Sequence, residues 1–449
     1  MTLLLHRDLR RPPARALSAS GVRIRTSAGR EVIDASGGAA VSCLGHAHPA
    51  VIEAIRRQAE TLAYAHSGFF TTEPAERLAE ALVGDVPGGL TRALFVSGGS
   101  EAMEAAVKLA RQYFLEVGEP QRRRFVARRQ SYHGNTLGAL ALSGNLPRRE
   151  PYAPLLGTAF SHVSPAFAYR YRAATESDAD YVERLRAELV AEFERLGGDT
   201  VAAFVAETVG GATSGAVTAP PGYFRMVREV CDRYGALLIL DEVMCGLGRT
   251  GTRHAWMAEG VAPDLQIVAK GLGGGYQPIG ALLVGAGIVD AIEAGSGTLM
   301  HGHTYMAHPI ACAAALAVQR VIVEQELVGE VQRLGRRLEA RLHQRLGQHA
   351  HVGDIRGRGL LMAVELVADR ETEAPFAPQA GVAASIKAAA LDRGLACYPG
   401  NGTIDGISGD HVLLAPPFVS SAADIDLIVE RLADAIDAVC ARAKGQPCG

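Results

Sequence analysis

The chain has 449 residues, of which 48% are hydrophobic and 21% are charged, and its formal net charge at pH 7 is -3. This composition is ordinary for a globular protein, and the length favours two domains. The small net charge gives no support to nucleic acid or an anionic membrane surface as a partner, so a small molecule is the expected ligand.

The seven cysteines are scattered along the chain, with no CxxC pair and no His/Cys cluster at zinc spacing. An odd, scattered set fits neither a disulfide framework nor a structural metal site, so we predict reduced thiols, no metal and a cytoplasmic protein. Residues 1 to 20 place an apolar patch before their arginines, which is the wrong order for a signal peptide. We therefore expect no export and no membrane partner.

The first half of the chain reads mainly as an α/β pattern. Residues 30 to 60 begin like a strand and continue as the helix pattern PAVIEAIRRQAETL, and we predict that they join a second, smaller domain. Between residues 90 and 290, short apolar runs alternate with helical patterns, which predicts a mostly parallel sheet. The strands are predicted at residues 92 to 97, 124 to 129, 201 to 207, 236 to 241, 265 to 270 and 279 to 285, and the helices include residues 179 to 197 and 222 to 234.

One uncharged stretch, residues 271 to 289, has the length of a membrane span. Its glycines predict a loop followed by a buried strand instead.

From residue 309 onward helical patterns dominate. They begin at residue 309 and recur at residues 328 to 347, 380 to 393 and 422 to 442, with strand candidates at residues 360 to 366 and 411 to 414. This mixture predicts an α+β domain. We expect an N-terminal segment at residues 1 to 60 that joins the small domain, a large domain at residues 61 to 308, and the small domain at residues 309 to 449.

Ligands of open α/β sheets bind at the carboxyl ends of the strands, so the residues that follow each predicted strand are candidates. The stretch FVSGGSEAMEAA places glycines and Ser100 between a strand and a helix N-terminus. The backbone N–H groups of such a turn, with the helix dipole behind them, suit a phosphate. A tight turn in which Ser97 or Ser100 caps the helix explains the same pattern.

The next strand is followed by QSYHGNTLGALALSG, which contains the aromatic pair Tyr132 and His133. These rings are able to stack on a flat ligand, and packing inside the protein is the alternative.

Two charged residues follow the later strands. Asp241 ends LLILD, where its carboxylate is suited to a protonated ring nitrogen; the alternatives are a turn cap or an ion pair with an arginine such as Arg249. Lys270 follows LQIVA and precedes GLGGGYQP, whose glycines let another group approach the amine closely. A solvated surface lysine is the alternative. A phosphate cradle, a stacking aromatic, an acid and such a lysine together predict a pyridoxal-phosphate site.

The chain also resembles the class III aminotransferases, which are pyridoxal-phosphate enzymes of fold type I. The matching motifs run in order from VIDASGGAAVSCLGHAHPAVIEAI through SGGSEAMEAAVKLAR, SYHGNT, DEVMCGLGRTG, AKGLGGGYQPIG and HGHTYMAHPIACAAALA to GDHVLLAPPF, nearly the whole chain. The resemblance implies a large domain with a mostly parallel sheet and helices on both faces. It also implies a smaller α+β domain built from both chain ends.

The resemblance implies the roles of the candidate residues. Lys270 would form the Schiff base, and Asp241 would face the pyridine nitrogen. Tyr132, with His133 beside it, would stack on one face of the cofactor ring and Val243 would pack on the other.

The remaining roles concern the phosphate and the partner subunit. Gly99 and Ser100 would hold the phosphate, and Glu207 would lie on the Asp241 side of the site. Thr304, in HTY, would reach the phosphate of the neighbouring subunit, which implies a homodimer with shared active sites. A larger assembly such as a tetramer stays open.

Two departures from the family pattern bear on the substrate. Members that act on 4-aminobutyrate or ornithine carry an arginine just before the PP of the C-terminal motif, where HVLLAPPF places Leu413 or Leu414. The same members have a gating glutamate where this chain has Gly211 or Ala212. The absence of both charges is physically consistent, because either charge without its partner would be costly to bury in the pocket. The departures favour alanine/pyruvate over glutamate/2-oxoglutarate as the second substrate pair.

Two further departures concern the amine donor. Members of the ω-amino acid:pyruvate group often carry an arginine on a loop upstream of the C-terminal motif, and the corresponding YPGNGTIDGISGDH has none. The group that binds a substrate carboxylate is therefore open. Ala39 and Ala40 replace a bulky aromatic residue, which suggests room for a larger amine.

We predict a ping-pong transaminase that moves an amino group from an ω-amino acid or a primary amine to a keto acid, with pyruvate favoured. The alternatives within the class are an enzyme that uses glutamate and 2-oxoglutarate, an aminomutase, and a decarboxylase. A nucleotide-dependent oxidoreductase would use GLGGG as its phosphate loop, but this loop lacks the GxGxxG spacing. A binding protein on the same fold would be expected to lose Lys270 or Asp241, and both are present.

Overall fold

The computed structural model describes residues 3–10, 12–84 and 86–443. The strands are β1 (Ala16–Ser20), β2 (Arg23–Thr26), β3 (Glu31–Asp34), β4 (Leu90–Val96), β5 (Arg124–Arg128), β6 (Phe160–Val163), β7 (Val201–Glu207), β8 (Leu237–Asp241), β9 (Leu265–Val268), β10 (Gly280–Gly285), β11 (Val352–Arg358), β12 (Leu361–Leu366), β13 (Leu395–Ala396), β14 (Tyr398–Asn401) and β15 (Asp410–Leu414). The helices are α1 (Gly37–Ala40), α2 (Pro49–Thr61), α3 (Glu73–Val83), α4 (Gly99–Glu116), α5 (Leu137–Leu142), α6 (Leu146–Arg149), α7 (Ala168–Tyr171), α8 (Asp178–Leu196), α9 (Tyr223–Tyr234), α10 (Ala286–Ala294), α11 (Pro309–Glu324), α12 (Leu327–Leu346), α13 (Val382–Asp392) and α14 (Ala422–Ala443).

The largest sheet has seven strands in the order β4-β10-β9-β8-β7-β5-β6. Strands β9, β8, β7, β5 and β6 pair in parallel, whereas β10 is antiparallel to both of its neighbours. Strand β4 therefore runs in the parallel direction, and β10 alone is reversed. The predicted mostly parallel α/β sheet is confirmed.

Helices cover both faces of this sheet because its central strands are apolar on both sides. In β8, Leu238 and Leu240 pack into one cluster with residues of α8 and α9. Leu237 and Ile239 point the other way, into a second cluster with residues of α4. This alternation is the period of two expected of a strand. The carboxyl end of β8, at Asp241, lies at a cavity.

Two smaller sheets lie outside the large one. One has the order β1-β2-β3-β13, and the other, entirely antiparallel, has the order β11-β12-β15-β14. A single apolar cluster joins Ile33 and Val51 from the N-terminal part to Leu334 of α12 and Leu432 of α14. The two ends of the chain thus share a core. The domain boundaries at residues 60 and 308 remain predictions, and residues 444–449 lie outside the described part.

No helix in the described ranges combines the length and apolar character needed to cross a membrane. The stretch after residue 271 forms the predicted loop and then β10, which is buried along most of its length. The six cysteines within the described residues are buried and form no disulfide, while Cys448 lies outside these residues. Among the same residues, no group of three or more side chains is arranged to hold a metal ion.

Candidate active site

A cavity of about 400 Å³ lies at the carboxyl ends of β7 and β8. Eight of the nine predicted cofactor-site residues line it, namely Gly99, Ser100, Tyr132, His133, Glu207, Asp241, Val243 and Lys270. The ninth, Thr304, is exposed, and its backbone carbonyl accepts a hydrogen bond of 2.9 Å from the Tyr64 hydroxyl. The structure therefore brings together all the predicted residues except the one assigned to the neighbouring subunit's site.

The N-terminus of α4 opens into the cavity. Its N-cap residue is Gly98, and no side chain of the described residues caps the helix. The Ser100 hydroxyl instead accepts a hydrogen bond of 3.0 Å from the Asn135 amide. A Cβ on Gly99 would lie 3.0 Å from Val243 Cγ2, so the start of α4 packs closely against Val243. The first-turn amides of a helix lack partners within the helix, which makes this end suited to an anion.

Two carboxylates end adjacent strands, because Glu207 and Asp241 are partners in the β7–β8 register. Asp241 is 4% exposed; its Oδ1 accepts a hydrogen bond of 3.0 Å from the Val243 amide, and its Oδ2 lies 2.8 Å from His133 Nδ1. Glu207 Oε1 accepts a hydrogen bond of 2.9 Å from the Gly211 amide. Burial raises the pKa of Glu207, which the His133 charge opposes and the Asp241 charge reinforces.

The contact with Asp241 settles the position of His133. Its ring nitrogen contacts the Asp241 carboxylate, so His133 orients that carboxylate, and Tyr132 remains the candidate to stack on a ligand. A Cβ on Gly134, whose φ is +139°, would lie 2.8 Å from the Ser100 hydroxyl. The segment that carries Tyr132 and His133 is therefore held against the start of α4.

The alternative partner for Asp241, Arg249, is engaged elsewhere. Its guanidinium is 2% exposed, donates a hydrogen bond of 3.1 Å to the Leu360 carbonyl, and lies 4.5 Å from the centroid of the Phe418 ring. Burial lowers the pKa of Arg249 to about 10. The alternative of an Asp241–Arg249 ion pair is wrong.

Glu242, next to Asp241, has a different environment. Its carboxylate accepts hydrogen bonds of 2.7 to 2.9 Å from the Thr208 hydroxyl, the Ala255 and Trp256 amides, and the Gln266 side chain. Burial raises the pKa of Glu242 to about 7. Glu242 is thus held by neutral donors inside the protein, and of the two neighbouring acids Asp241 alone lines the cavity.

Lys270 lies two residues beyond the end of β9, half-buried in the cavity wall. Burial lowers the pKa of its ammonium group to about 8, while the charges of Asp241 and Glu207 act in the opposite direction. Its φ of +43° is left-handed, which costs an L-residue about 1–2 kcal/mol. Such strain at a cavity is typical of a functional position, and a solvated surface lysine is excluded.

The lowered pKa predicts how the reactivity of the Lys270 amine depends on pH in the cofactor-free enzyme. We expect its reductive methylation by formaldehyde to become faster up to about pH 8 and then level off, because the neutral amine is the nucleophile. An ordinary lysine would continue to gain reactivity well above pH 9. Peptide mass spectrometry between pH 6 and 10 measures this, with the exposed Lys387 as the internal reference for the reagent. A Lys270 rate that still rises tenfold between pH 9 and 10 would contradict the prediction.

The positions predicted to lack the charged pair are closely packed. A Cβ on Gly211 would lie 2.6 Å from Met244 Sδ and 3.1 Å from Glu207 Oε1, so a side chain there would require the Met244 side chain to move. Leu413 and Leu414 are completely buried in β15. The charged pair of the 4-aminobutyrate and ornithine enzymes therefore has no counterpart at these positions.

Ala39 and Ala40 were predicted to widen the pocket, but neither of them lines the cavity. Ala39 and Ala40 have left-handed φ values of 64° and 67°, and Ala40 packs into a small apolar cluster with Val209 and Leu413. Val41, the next residue, lines the cavity. Sequence inspection also missed Met244, another lining residue, because an apolar side chain in a loop carries no chemical signal of its own.

In this sheet one antiparallel strand lies among parallel ones, and a lysine and a buried carboxylate line the same cavity at the strand ends. This is the architecture of the fold type I pyridoxal-phosphate enzymes. The family model for class III aminotransferases matches residues 7–436. An uncharacterised aminotransferase of Schizosaccharomyces pombe is 48% identical over 431 residues, which cover 96% of this chain and 94% of that protein.

Solved structures agree with this family. The (S)-enantioselective ω-transaminase of Thermomicrobium roseum is 34% identical with a TM-score of 0.90, over 96% of this chain and 93% of that one. The ω-transaminase of Pseudomonas jessenii in complex with PMP is 32% identical with a TM-score of 0.90, over 97% of this chain and 94% of that one. The chain belongs to the class III aminotransferases and is a transaminase.

Enzymes of this family use pyridoxal phosphate, and the cavity fits this group. A Cβ on Gly98 would meet no atom within 4 Å, so there is open space beside the uncapped start of α4 for a phosphate. The same cavity presents a buried carboxylate and an amine of lowered pKa, which match the ring nitrogen and the aldehyde of the cofactor.

Proposed function

We propose that this transaminase moves an amino group from an ω-amino acid or another primary amine to pyruvate by a ping-pong mechanism. The observation that carries the proposal is the convergence of Lys270, Asp241 and the start of α4 on one cavity. When bound, pyridoxal phosphate withdraws electrons from the carbon that carries the transferred amino group. The protein must supply binding, orientation and proton transfer.

Binding and orientation are assigned to four elements of the cavity. The amides at Gly99 and Ser100 would hold the phosphate, and Tyr132 and Val243 would enclose the two faces of the ring. Asp241 would keep the ring nitrogen protonated, since a buried carboxylate stabilises a cation that it contacts. The contact of 2.8 Å between His133 Nδ1 and Asp241 Oδ2 fixes that carboxylate in place.

Glu207 would support the same side of the ring. Its Oε2 accepts a hydrogen bond of 3.4 Å from the Tyr132 amide, so it connects the Asp241 side of the cavity to the stacking residue. Lys270 would hold the cofactor through Nζ and then act as the proton carrier. Burial lowers the pKa of Lys270 to about 8, which makes the neutral amine, the form that accepts a proton, more populated near neutral pH than in an ordinary lysine.

Each active site would be completed by a second copy of the chain. Thr304 lies beside the exposed apolar side chains of Met300 and Tyr305, which are 67% and 60% exposed, and Phe69 elsewhere in the chain is 81% exposed. Large exposed apolar side chains of this kind are common at subunit interfaces. We propose a homodimer in which Thr304 reaches the partner's phosphate. The buried thiols fit the reducing cytoplasm as its compartment.

Pyruvate is the favoured acceptor because the positions of the arginine and the gating glutamate are apolar or closely packed. A second carboxylate of glutamate or 2-oxoglutarate would enter the cavity with no cation at either place, and burying an unpaired charge is costly. A substrate pair with one carboxylate brings one charge fewer into the cavity.

A panel of half-reactions tests the function. The enzyme loaded with pyridoxal phosphate is mixed with one amine at a time, and the visible absorbance of the lysine-linked cofactor is followed. We expect terminal amines such as β-alanine, putrescine or 1-phenylethylamine to remove the band, and pyruvate to restore it. If glutamate alone removes it and 2-oxoglutarate alone restores it, the acceptor assignment is wrong.

A further inference from the structure

The guanidinium of Arg148 lies over the ring of Tyr132, with its carbon Cζ 4.7 Å from the ring centroid, a cation–π contact. Tyr132 lines the cavity, while Arg148 is exposed to solvent. The pKa of Lys270 is lowered first by burial, and the positive charge of Arg148 also lowers it. Arg148 therefore stands beside the cavity, within electrostatic range of the reactive amine.

Arg148 is also uncommitted, in contrast to Arg128 and Arg129 of the preceding segment. It makes no ion pair or hydrogen bond with the residues that the structure describes. Arg128 is buried and donates a hydrogen bond to the Glu207 carbonyl, and Arg129 pairs with Glu188 at 3.3 Å. A guanidinium held only by an aromatic face keeps all five of its N–H donors available for an anion.

The segment that carries Arg148 supports the loop between β14 and β15. A Cβ on Gly406 of that loop would lie 2.6 Å from Pro147 Cδ, and Gln130 Nε2 donates a hydrogen bond of 2.7 Å to the Gly402 carbonyl. Residues 402 to 409 contain no arginine or lysine. Where this loop packs against the protein, the nearby positive charge comes from the segment that carries Pro147 and Arg148.

The cavity itself offers no second cation for a substrate carboxylate. Of the described residues that line it, Lys270 is the only lysine or arginine, and the proposed reaction occupies its amine. A substrate that carries a carboxylate must therefore be paired from outside the lining.

We propose that Arg148 binds the carboxylate of the substrate, with its guanidinium stacked on Tyr132 and its N–H fork directed at the carboxylate oxygens. The inference rests on the proposed transaminase function and names the group that recognises charge in it. A planar fork gives a bidentate contact that an ammonium group does not reproduce. The substrates selected are ω-amino acids and keto acids with one carboxylate.

The test compares two amine donors of equal length, 4-aminobutyrate and butylamine, which differ by the carboxylate. In the holoenzyme with Arg148→Gln, we expect the concentration that gives a half-maximal half-reaction to rise about 10- to 100-fold for 4-aminobutyrate, the usual effect of losing hydrogen bonds to a charged group. For butylamine it should stay within about twofold. Arg148→Lys should fall between the wild type and Arg148→Gln, because it keeps the charge and loses the fork.

Arg149→Gln is the matched control. It removes the same charge from the adjacent residue, which is half-buried rather than stacked on Tyr132, so the ratio between the two donors should remain that of the wild type. An equal loss for both donors in Arg148→Gln would mean that Arg148 only positions Tyr132, and an unchanged ratio would remove it from recognition; either result overturns the inference. If neither these two donors nor the amines of the half-reaction panel remove the cofactor band of the wild-type enzyme, the proposed function is overturned instead; a wild-type enzyme that deaminates butylamine but not 4-aminobutyrate overturns the inference.

Discussion

Lys270→Ala should abolish the visible absorbance band of the lysine-linked cofactor and reduce the transamination rate by about 10⁴-fold. Two contributions are lost together, because the same Nζ atom would hold the cofactor and carry the proton. The measurement is an absorbance spectrum of the purified variant with added pyridoxal phosphate, followed by the rate of alanine formation from pyruvate. The thermal midpoint should not fall, since burying an amine of lowered pKa does not stabilise the fold.

The lysine that binds the cofactor is easy to identify by mass spectrometry, because the chain contains only four lysines, Lys108, Lys270, Lys387 and Lys444. Borohydride reduction of the wild-type holoenzyme should fix the cofactor on the peptide that contains Lys270. Lys387→Ala is the matched control; this side chain is exposed on α13, and its loss should leave both the spectrum and the rate as in the wild type. A normal band in Lys270→Ala would transfer the covalent role to another lysine.

The fold of the large sheet followed closely from the sequence. Residues 201 to 207 were predicted as a strand and form β7 with those bounds, and α9 begins and ends within one residue of its prediction. These elements have strong local patterns, since all seven residues of β7 are buried. By contrast β1 was not predicted: it is mostly exposed and is held by its backbone pairing with β2, which leaves no hydrophobic period to detect.

In the candidate site, too, the residues marked by a local sequence pattern could be predicted, and the contacts that depend on the tertiary fold could not. Asp241 and Lys270 could be selected because neighbouring parallel strands end at the same edge of a sheet, so residues just beyond the strand ends converge. The contact between Arg148 and Tyr132 could not be predicted, because it depends on how the residues after α5 fold back over the aromatic ring. The loss of the family's loop arginine pointed to a missing cation, but only the structure places a candidate for it.

Asp241→Asn should reduce turnover by at least about 10²-fold while leaving the protein folded. The amide has the shape of the carboxylate, so the hydrogen bond from the Val243 amide survives. The negative charge that would stabilise the protonated ring nitrogen is lost, and removing one member of a buried charge pair costs about 3–5 kcal/mol. The rate of the first half-reaction, measured in the variant saturated with cofactor, separates this effect from weaker cofactor binding.

Glu242→Gln is the matched contrast, because it neutralises the adjacent buried acid. Four donors converge on the Glu242 carboxylate, and a side-chain amide has only one oxygen to accept them, so we expect a loss of about 1–3 kcal/mol in the free energy of unfolding. The folded fraction should keep its activity, since Glu242 does not line the cavity among the described residues. Equal losses of activity in both variants would mean that Asp241 acts through the fold. A loss of activity in Asp241→Asn and of stability in Glu242→Gln would assign the two neighbouring carboxylates to chemistry and to structure respectively.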